Sequence, residues 1–184
     1  IRIPCNKSIG SKPVTTMGML YSPERNKVFD FSPAHTNISY VIVARKGTKI
    51  PDNLQQLRGK SLLVEQKELM HEHALKQGLK DEIVPVVSDE EALRQLLGGK
   101  YDYAIVSRVL AHYFLKQNQW KNLRIGDNTL YSADYCISVQ EGNNALLSLL
   151  TEGLTAVKSS GEYHHIYSNW LGVYEQPQLS SQEI

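Results

Sequence analysis

In the middle of the chain short apolar runs alternate with helical patterns, and this alternation restricts the fold more than any other feature of the sequence. The apolar runs cover residues 62–64, 83–87 and 103–106, and the helical patterns cover residues 68–77 and 88–97. Parallel strands need a crossover between them, usually a helix, so this order predicts a parallel sheet covered by helices. Ligands of such sheets bind at the carboxyl ends of the strands.

The second of these helices carries its own start and stop signals. Ser88 and Glu91 have the spacing of a capping box, and Gly98-Gly99 follows the last apolar residue. Four residues are expected on one apolar face: Ala92, Leu93, Leu96 and Leu97. A longer helix that ends near Gly161 is predicted further on, with an apolar face of Leu146, Leu150, Leu154 and Val157.

The composition excludes several classes of function. The chain has 41% hydrophobic residues, 21% charged residues and a formal net charge of +1, which indicates a soluble globular body with no bias toward nucleic acid or an anionic membrane. No apolar run approaches the roughly 20 residues of a membrane-spanning helix, and we expect that a secretory signal was processed or excised. Cys5 and Cys136 are interpreted as free or buried thiols, with one long-range disulfide as the alternative.

Residues 22–33 combine a helix start with a basic side chain that could face an anionic ligand. Ser22 is predicted as the N-cap, Pro23 as the first helical residue and Glu24 as a carboxylate at the positive end of the helix dipole. Arg25 departs from this pattern, because a cation in the first turn costs about 0.3–1 kcal/mol when it is exposed. We therefore expect Arg25 to bind an anion, with a solvated surface arginine as the alternative.

This segment resembles the T-P-E-R…DFS-P segment of the type 2 periplasmic binding proteins, the extracytoplasmic solute-binding family that collects amino acids and other small solutes. Further motifs follow in the family's order. Residues 41–47 resemble its first hinge strand, residues 54–64 the entry to its second lobe, residues 88–104 its S-x-E-E-A-L segment and residues 161–172 its terminal G-x-Y-x-x-I-Y-x-K-W-x-G. The resemblance implies an α/β, two-lobed type 2 periplasmic binding protein (Venus flytrap) fold.

The resemblance also divides the chain into two lobes, joined by crossing strands near residues 38–44 and 134–140. Residues 45–140 would form lobe 2, and residues 1–44 with 141–184 would form lobe 1, including a C-terminal linker from about residue 173. Lobe 1 is incomplete, because ten residues separate Ile3 from Val14, whereas a βαβ unit takes roughly 30. We interpret residues 1–13 as fragments left after disordered residues were left out. Truncation and true loss of half a lobe are the alternatives.

Four ligand-binding residues are implied in lobe 1. Arg25 occupies the position that clamps a ligand carboxylate in amino-acid binders, a task that suits a planar bidentate donor. Gly18, Leu20 and Ser22 lie beside it in sequence. Leu20 offers no hydrogen bond from its side chain, so its contact with a ligand is expected to be apolar.

Four more ligand-binding residues are implied in lobe 2. Lys67-Glu68, followed by Leu69, replaces the family's Gly-Thr or Gly-Ser helix start, and Ser107 replaces the aspartate that holds an α-ammonium group. Loss of that carboxylate would cost a buried ammonium group several kcal/mol. Together with Arg25, Lys67 indicates an anionic or carboxylate ligand in the interlobe cleft. A solvated helix terminus is the alternative for Lys67 and Glu68.

The C-terminal segment favours one class of protein among those that have this fold. Residues 173–184 continue as a proline-containing polar linker, whereas free transport receptors typically finish soon after the W-x-G motif. We therefore expect a periplasmic ligand-sensing domain of an inner-membrane sensor histidine kinase. Its partners would be a small-molecule ligand, a C-terminal membrane helix and a cytoplasmic signalling module, and a homodimer is left open. The alternatives are a free substrate-binding protein of an amino-acid-type ABC transporter and a dehydratase or lytic-transglycosylase partner domain.

No catalytic residue, metal site or cofactor is predicted. His71-Glu72-His73 lacks the spacing of the H-E-x-x-H zinc site, and its two histidines would point about 200° apart on a helix. Ser107 and Ser132 show no nucleophile-elbow motif. Arg108 and Tyr131 are weaker ligand candidates. The tyrosines are expected in the core or at the rim, with one or two lining the ligand site: Tyr101, Tyr103, Tyr113, Tyr131 and Tyr135.

Overall fold

The computed structural model of the chain describes residues 15–172 and Tyr174. The described residues fall into two compact units: residues 15–36 with 134–156 form unit 1, and residues 37–133 with 157–172 and Tyr174 form unit 2. The lobe boundaries derived from the sequence stay a prediction. The interpretations of residues 1–13, of Cys5 and of the linker from residue 173 concern residues outside the described range, apart from Tyr174.

The strands and helices are numbered in chain order. The strands are β1 (Thr15–Leu20), β2 (Phe29–Phe31), β3 (Thr36–Arg45), β4 (Leu62–Glu65), β5 (Ile83–Val86), β6 (Tyr103–Ser107) and β7 (Leu123–Gln140). The helices are α1 (Leu69–Lys76), α2 (Asp89–Leu97), α3 (Arg108–Gln117), α4 (Asn144–Ser159) and α5 (Glu162–Tyr167). Single turns of 3-10 helix cover Arg25–Lys27 and Leu54–Leu57, and a π-helical turn covers Ser168–Gly172.

Unit 2 has the predicted parallel sheet. Its strand order is β7-β3-β6-β4-β5, in which β4 pairs parallel with both β5 and β6, and β3 pairs antiparallel with β6. The sequence prediction of strands at residues 62–64, 83–87 and 103–106 is therefore confirmed. Every residue of β6 is buried, as expected for a strand covered on both faces.

Helix α2 closes one side of this core. Ala92, Leu93 and Leu96 have no exposed surface and pack with Leu63 and Val106. The Ser88 hydroxyl accepts a hydrogen bond from the Glu91 N–H at 3.2 Å, so the predicted N-cap is confirmed. The capping box is half formed, because the Glu91 carboxylate accepts from the Gln95 side chain at 2.7 Å.

Unit 1 is built on antiparallel pairing with the last part of β7. Strands β1 and β2 both pair with β7. The hydroxyl groups of Thr16 and Ser138 lie 2.7 Å apart across the β1–β7 pair. Cys136, also on β7, is buried.

Helix α4 is where the sequence predicts a long helix, but its apolar face is not buried. None of its residues is buried by the described part of the chain, and Leu149 is 66% exposed. Among the described residues, no helix is both long and apolar enough to cross a membrane.

Candidate functional site

The turn that carries Arg25 is shorter than the sequence predicts. The prediction of a helix with Pro23 as its first residue is wrong. Residues 22–33 contain a single helical turn, Arg25–Lys27, and β2 begins at Phe29. Ser22 still caps this turn. Its hydroxyl accepts from the Arg25 N–H at 3.2 Å, and its carbonyl accepts from the Asn26 N–H at 2.9 Å.

The Arg25 side chain is half-buried beside the end of β1. Its Nη1 donates to the Leu20 carbonyl at 3.1 Å. Within residues 15–172, no carboxylate pairs with Arg25. A guanidinium group has five N–H donors in a fixed fork, so this single bond leaves donors for an anion.

Gly18 and Leu20 are neighbours on β1, and both meet Tyr135 of β7. Leu20 is buried and lies opposite Tyr135 in the strand register. Gly18 lies directly against the tyrosine ring: a Cβ atom placed on it would be 2.6 Å from Cε1 of Tyr135. The four residues predicted in lobe 1 thus follow one strand and the turn after it, all within unit 1.

In unit 2, Lys67, Glu68 and Leu69 form the turn into α1. Lys67 has φ 64, the left-handed conformation that glycine adopts most readily, which fits its place where the family has glycine. Its N–H donates to Nδ1 of His71 at 3.4 Å. Glu68 precedes the helix without a side-chain cap bond, and Leu69 is buried.

Ser107 ends β6 and begins α3. Its hydroxyl accepts from the Leu110 N–H at 3.4 Å, so Ser107 is the N-cap of α3. Its backbone N–H donates to Oδ2 of Asp89 at 3.1 Å. The Asp89 N–H in turn donates to Oε2 of Glu65 at 3.2 Å. These bonds join the carboxyl ends of β4 and β6 to the start of α2.

Asp89, which contacts the candidate residue Ser107, was not among the residues predicted for the site. Burial raises the pKa of its carboxyl from the ordinary 3.8 to about 7, and the nearby carboxylates of Glu65 and Glu68 add to the rise, although the hydrogen bonds from Ser107 oppose it. The sequence identifies Asp89 only as a first-turn acid of α2. The available signal was its place at the carboxyl end of a parallel strand, where ligand sites of such sheets lie.

An aromatic group adjoins the same part of unit 2. Tyr40 lies opposite Ser107 in the β3–β6 register. The His73 ring stacks on Tyr131, with centroids 4.3 Å apart, and Tyr131 lies 6.5 Å from Tyr40. Burial and nearby Lys76 lower the pKa of His73.

Two other features of unit 2 lie apart from these residues. Arg108 donates to the Asp127 carbonyl at 2.9 Å and to the Thr129 hydroxyl at 3.2 Å, which engages its guanidinium with β7. A surface depression is lined by Ile42, Ile50, Pro51, Asp52, Arg124, Gly126, Asp127 and Asn128. None of the eight predicted ligand residues lines that depression.

Comparison with known proteins decides the family. Residues 14–173 match the family model of the bacterial extracellular solute-binding proteins, family 3. The chain belongs to this family. The α/β fold of the type 2 periplasmic binding proteins, which the sequence predicted, is thereby confirmed, and the chain is a solute-binding domain of an extracellular family.

The relatives of this family 3 chain include transport and sensor proteins. The chain is 26% identical over 156 residues to ABC transporter arginine-binding protein 1 of Escherichia coli (strain K12), covering 83% of this chain and 63% of that protein. It is similar to the crystal structure of a histidine kinase sensor domain with similarity to periplasmic binding proteins. The TM-score is 0.82 and the identity 30%, and the match covers 86% of this chain and 69% of that chain.

An ancestral arginine-binding protein bound to arginine is also similar to the chain, with TM-score 0.75 and 29% identity. The match covers 84% of this chain and 69% of that chain. The chain spans less than two thirds of the length of the curated transport relatives, 63% for the arginine-binding protein and 55% for glutamine-binding protein GlnH of Bacillus subtilis (strain 168).

Proposed function

We propose that this solute-binding domain is the extracytoplasmic ligand-sensing domain of a transmembrane sensor histidine kinase and that it binds a small carboxylate or other anionic solute. The proposed ligand class depends on Arg25. This side chain is a half-buried cation, and among the described residues no carboxylate pairs with it. A guanidinium group matches the geometry of a carboxylate with two parallel N–H donors, so a ligand anion is the natural partner of this side chain.

The eight predicted ligand residues are part of this proposal. Arg25 would bind the ligand carboxylate, with Gly18, Leu20 and Ser22 completing the contact from the predicted lobe 1. Lys67, Glu68, Leu69 and Ser107 would contribute from the predicted lobe 2. The interlobe cleft of the sequence prediction stays a prediction.

The sensor context is supported by the similarity to a histidine kinase sensor domain. A C-terminal membrane helix, a cytoplasmic signalling module, attachment to the inner membrane and a second copy of the chain belong to the proposal. A ligand changes the signal only if its affinity differs between two conformations of the receptor.

The ligand class is tested by isothermal titration of acetate, succinate, glutarate, L-glutamine and L-arginine. We expect Arg25→Ala to weaken binding of the bound carboxylate by about 100-fold, the loss typical of removing one partner of a buried charge pair. The melting temperature should stay almost unchanged. Lys27→Ala, on the same turn, is the matched control and should keep the affinity of the parent protein. Equal affinity in Arg25→Ala and the parent protein would refute the assignment.

A second experiment separates carboxylates from ordinary amino acids. Because Ser107 is the N-cap of α3 and carries no charge, simple carboxylates should bind more tightly than L-glutamine and L-arginine. Micromolar binding of either amino acid, with its ammonium group at Ser107, would contradict this preference.

A free receptor of an amino-acid ABC transporter is the second candidate, because the curated relatives include such receptors. Reading the gene beyond residue 184 separates the two. An apolar segment of roughly 20 residues followed by a kinase module supports the sensor. A stop codon within a few codons of Ile184 supports the transport receptor.

A further inference from the structure

Asp89 is a buried carboxyl group at the edge of the sheet where β4 and β6 end. It is 7% exposed. Its Oδ2 accepts the Ser107 N–H at 3.1 Å, and its own N–H donates to Oε2 of Glu65 at 3.2 Å. Since Asp89 is also the first residue of α2, these bonds hold the start of that helix against the ends of both strands.

The charged groups that act on Asp89 are acidic. Glu65 at the end of β4 and Glu68 in the turn before α1 both disfavour its ionised form. Strand β5 has no ionisable residue. Helix α3 also packs on α2, but its first residue, Arg108, donates to β7, and the charge of Arg108 acts on His112. In the part of the chain that the structure describes, no basic side chain pairs with Asp89.

Asp89 adjoins two of the ligand residues that we propose from the predicted lobe 2. It is hydrogen-bonded to Ser107, and the charge of Glu68 acts on it. A solute anion beside Ser107 would therefore come close to carboxyl groups, and each of them repels an anion when it is ionised. Asp89 is the one whose pKa burial raises to about 7, so its charge is the one that changes near neutral pH.

We propose that Asp89 is a positioning residue of the solute site, which holds Ser107 by its backbone N–H, and that a solute anion binds when the Asp89 carboxyl is neutral. The inference rests on the proposed function, because it needs an anion beside Ser107. A carboxyl oxygen can accept the Ser107 N–H in either form, so protonation changes the charge and keeps this bond. The affinity for the anion then falls as the pH rises through about 7, and binding at that pH draws a proton from the buffer onto Asp89.

The test is isothermal titration of acetate, succinate and glutarate at pH 6, 7 and 8. An acid with a pKa of about 7 is neutral in about nine tenths of the molecules at pH 6 and in about one tenth at pH 8. We therefore expect the affinity of the parent protein for a bound carboxylate to fall about tenfold over this range. Titration of the probe itself is common to parent and variant, so it cancels in the ratio of their affinities.

Asp89→Asn keeps an acceptor for the Ser107 N–H but cannot ionise. It should bind the carboxylate with the pH 6 affinity of the parent protein at all three pH values. Asp81→Asn, which removes an exposed carboxylate, is the matched control and should show the fall of the parent protein. At pH 7, titration in two buffers of different ionisation enthalpy should show uptake of about half a proton by the parent protein and none by Asp89→Asn. A purely structural role of Asp89 would not change this proton count.

Each outcome decides between the inference and the function on which it rests. A carboxylate affinity that does not change with pH, or that falls equally in Asp89→Asn, overturns the inference and leaves the proposed function intact. If no carboxylate binds the parent protein at any of the three pH values, the proposed function fails and the inference fails with it. Binding of L-arginine that strengthens with pH in the parent protein alone would assign a cation to the site and overturn both. If Asp89→Asn does not fold, Asp89→Ser, which also keeps an uncharged acceptor, answers the same question.

Discussion

The two units differ both in how they bury apolar surface and in the ionisable residues found among or beside their candidate ligand residues. In unit 2 the strands and helices alternate along one stretch of chain, and the resulting core excludes solvent from Leu63, Leu93 and Val106. In unit 1 the residues of α4 remain unburied in the described part of the chain. The charges differ as well, since unit 1 presents Arg25 whereas unit 2 encloses Asp89.

This difference shows when a local sequence pattern is sufficient to form a core. The helices that cover a sheet must follow its strands closely along the chain. Unit 2 obtains α2 directly after β5, so the helix folds back on the sheet that it covers. Unit 1 depends on contacts between strands that are far apart in the sequence. Thr15, for example, contacts Ser138, which lies 123 residues further along the chain. We expect mutations in unit 2 to act through packing and titration, and mutations in α4 to act weakly.

The largest effect is expected from the core of unit 2. Leu93→Ala should lower the free energy of unfolding by about 2–5 kcal/mol, because it removes a fully buried side chain and leaves a cavity. Leu149→Ala, on the exposed part of α4, should change it by less than about 0.5 kcal/mol. Chemical denaturation measures both. Similar losses in the two variants would contradict the contrast between the units.

The next effect is the pH dependence that Asp89 gives to unit 2. Its folded pKa of about 7 lies above the ordinary 3.8, so the stability contributed by its neutral form is complete below pH 3.8 and is lost as the pH rises through about 7. Asp89→Asn should remove this slope and should be more stable than the parent protein at pH 8. Denaturation at several pH values measures it. Exposed Asp81→Asn is the control, and a slope that persists in Asp89→Asn would show another group to be responsible.

Two glycines should respond in opposite directions. A Cβ atom on Gly126 of unit 2 would lie 2.9 Å from Cγ2 of Ile50 and 3.1 Å from the Ile42 carbonyl oxygen. Gly126→Ala should therefore destabilise the protein by about 1–3 kcal/mol. A Cβ atom on Gly153 of α4 would meet no atom within 4 Å, so Gly153→Ala should stabilise the helix by about 1 kcal/mol. Melting temperatures that move in the same direction would contradict the comparison.

The smallest effect concerns the turn before α1. Lys67→Gly should stabilise the protein by less than about 1 kcal/mol, because the left-handed backbone strain that it removes only slightly exceeds the flexibility cost of glycine. Lys76→Gly, at the last residue of α1, is the control and should destabilise the protein by less than about 1 kcal/mol. Thermal unfolding measures the pair. A loss of stability in Lys67→Gly would show that Lys67 contributes more to the fold than its backbone conformation suggests.

Local signals in the sequence predicted most of unit 2. Ser88 caps α2 as predicted, and the apolar runs of residues 62–64 and 103–106 form β4 and β6. The helix expected after Ser22 failed because β2 begins at Phe29, which leaves room for one turn. Its cap, Ser22, was nonetheless identified correctly as the residue that accepts the N-terminal hydrogen bond.

The candidate site could be predicted only in part. The resemblance gave Arg25, Lys67 and Ser107, and their binding roles stay predictions. Asp89 was identified as a helix residue, and its burial against Ser107 could not be inferred, since α2 and β6 meet only in the folded sheet. The contact of Tyr135 with Gly18 could not be inferred from the sequence either, because the register shift between Thr16 and Met19 sets which residues of β1 lie opposite β7.

The sequence by itself determined the alternation of β4, β5 and β6 with α1 and α2, the N-cap of α2 and the family of the chain. These properties depend on residues close together in the chain, or on motifs that keep their order. The tertiary structure decided the register of β1 against β7, the raised pKa of Asp89 and the lack of burial on α4. The reason is physical: register, desolvation and burial are set by neighbours distant in sequence, and only the folded chain brings those neighbours into contact.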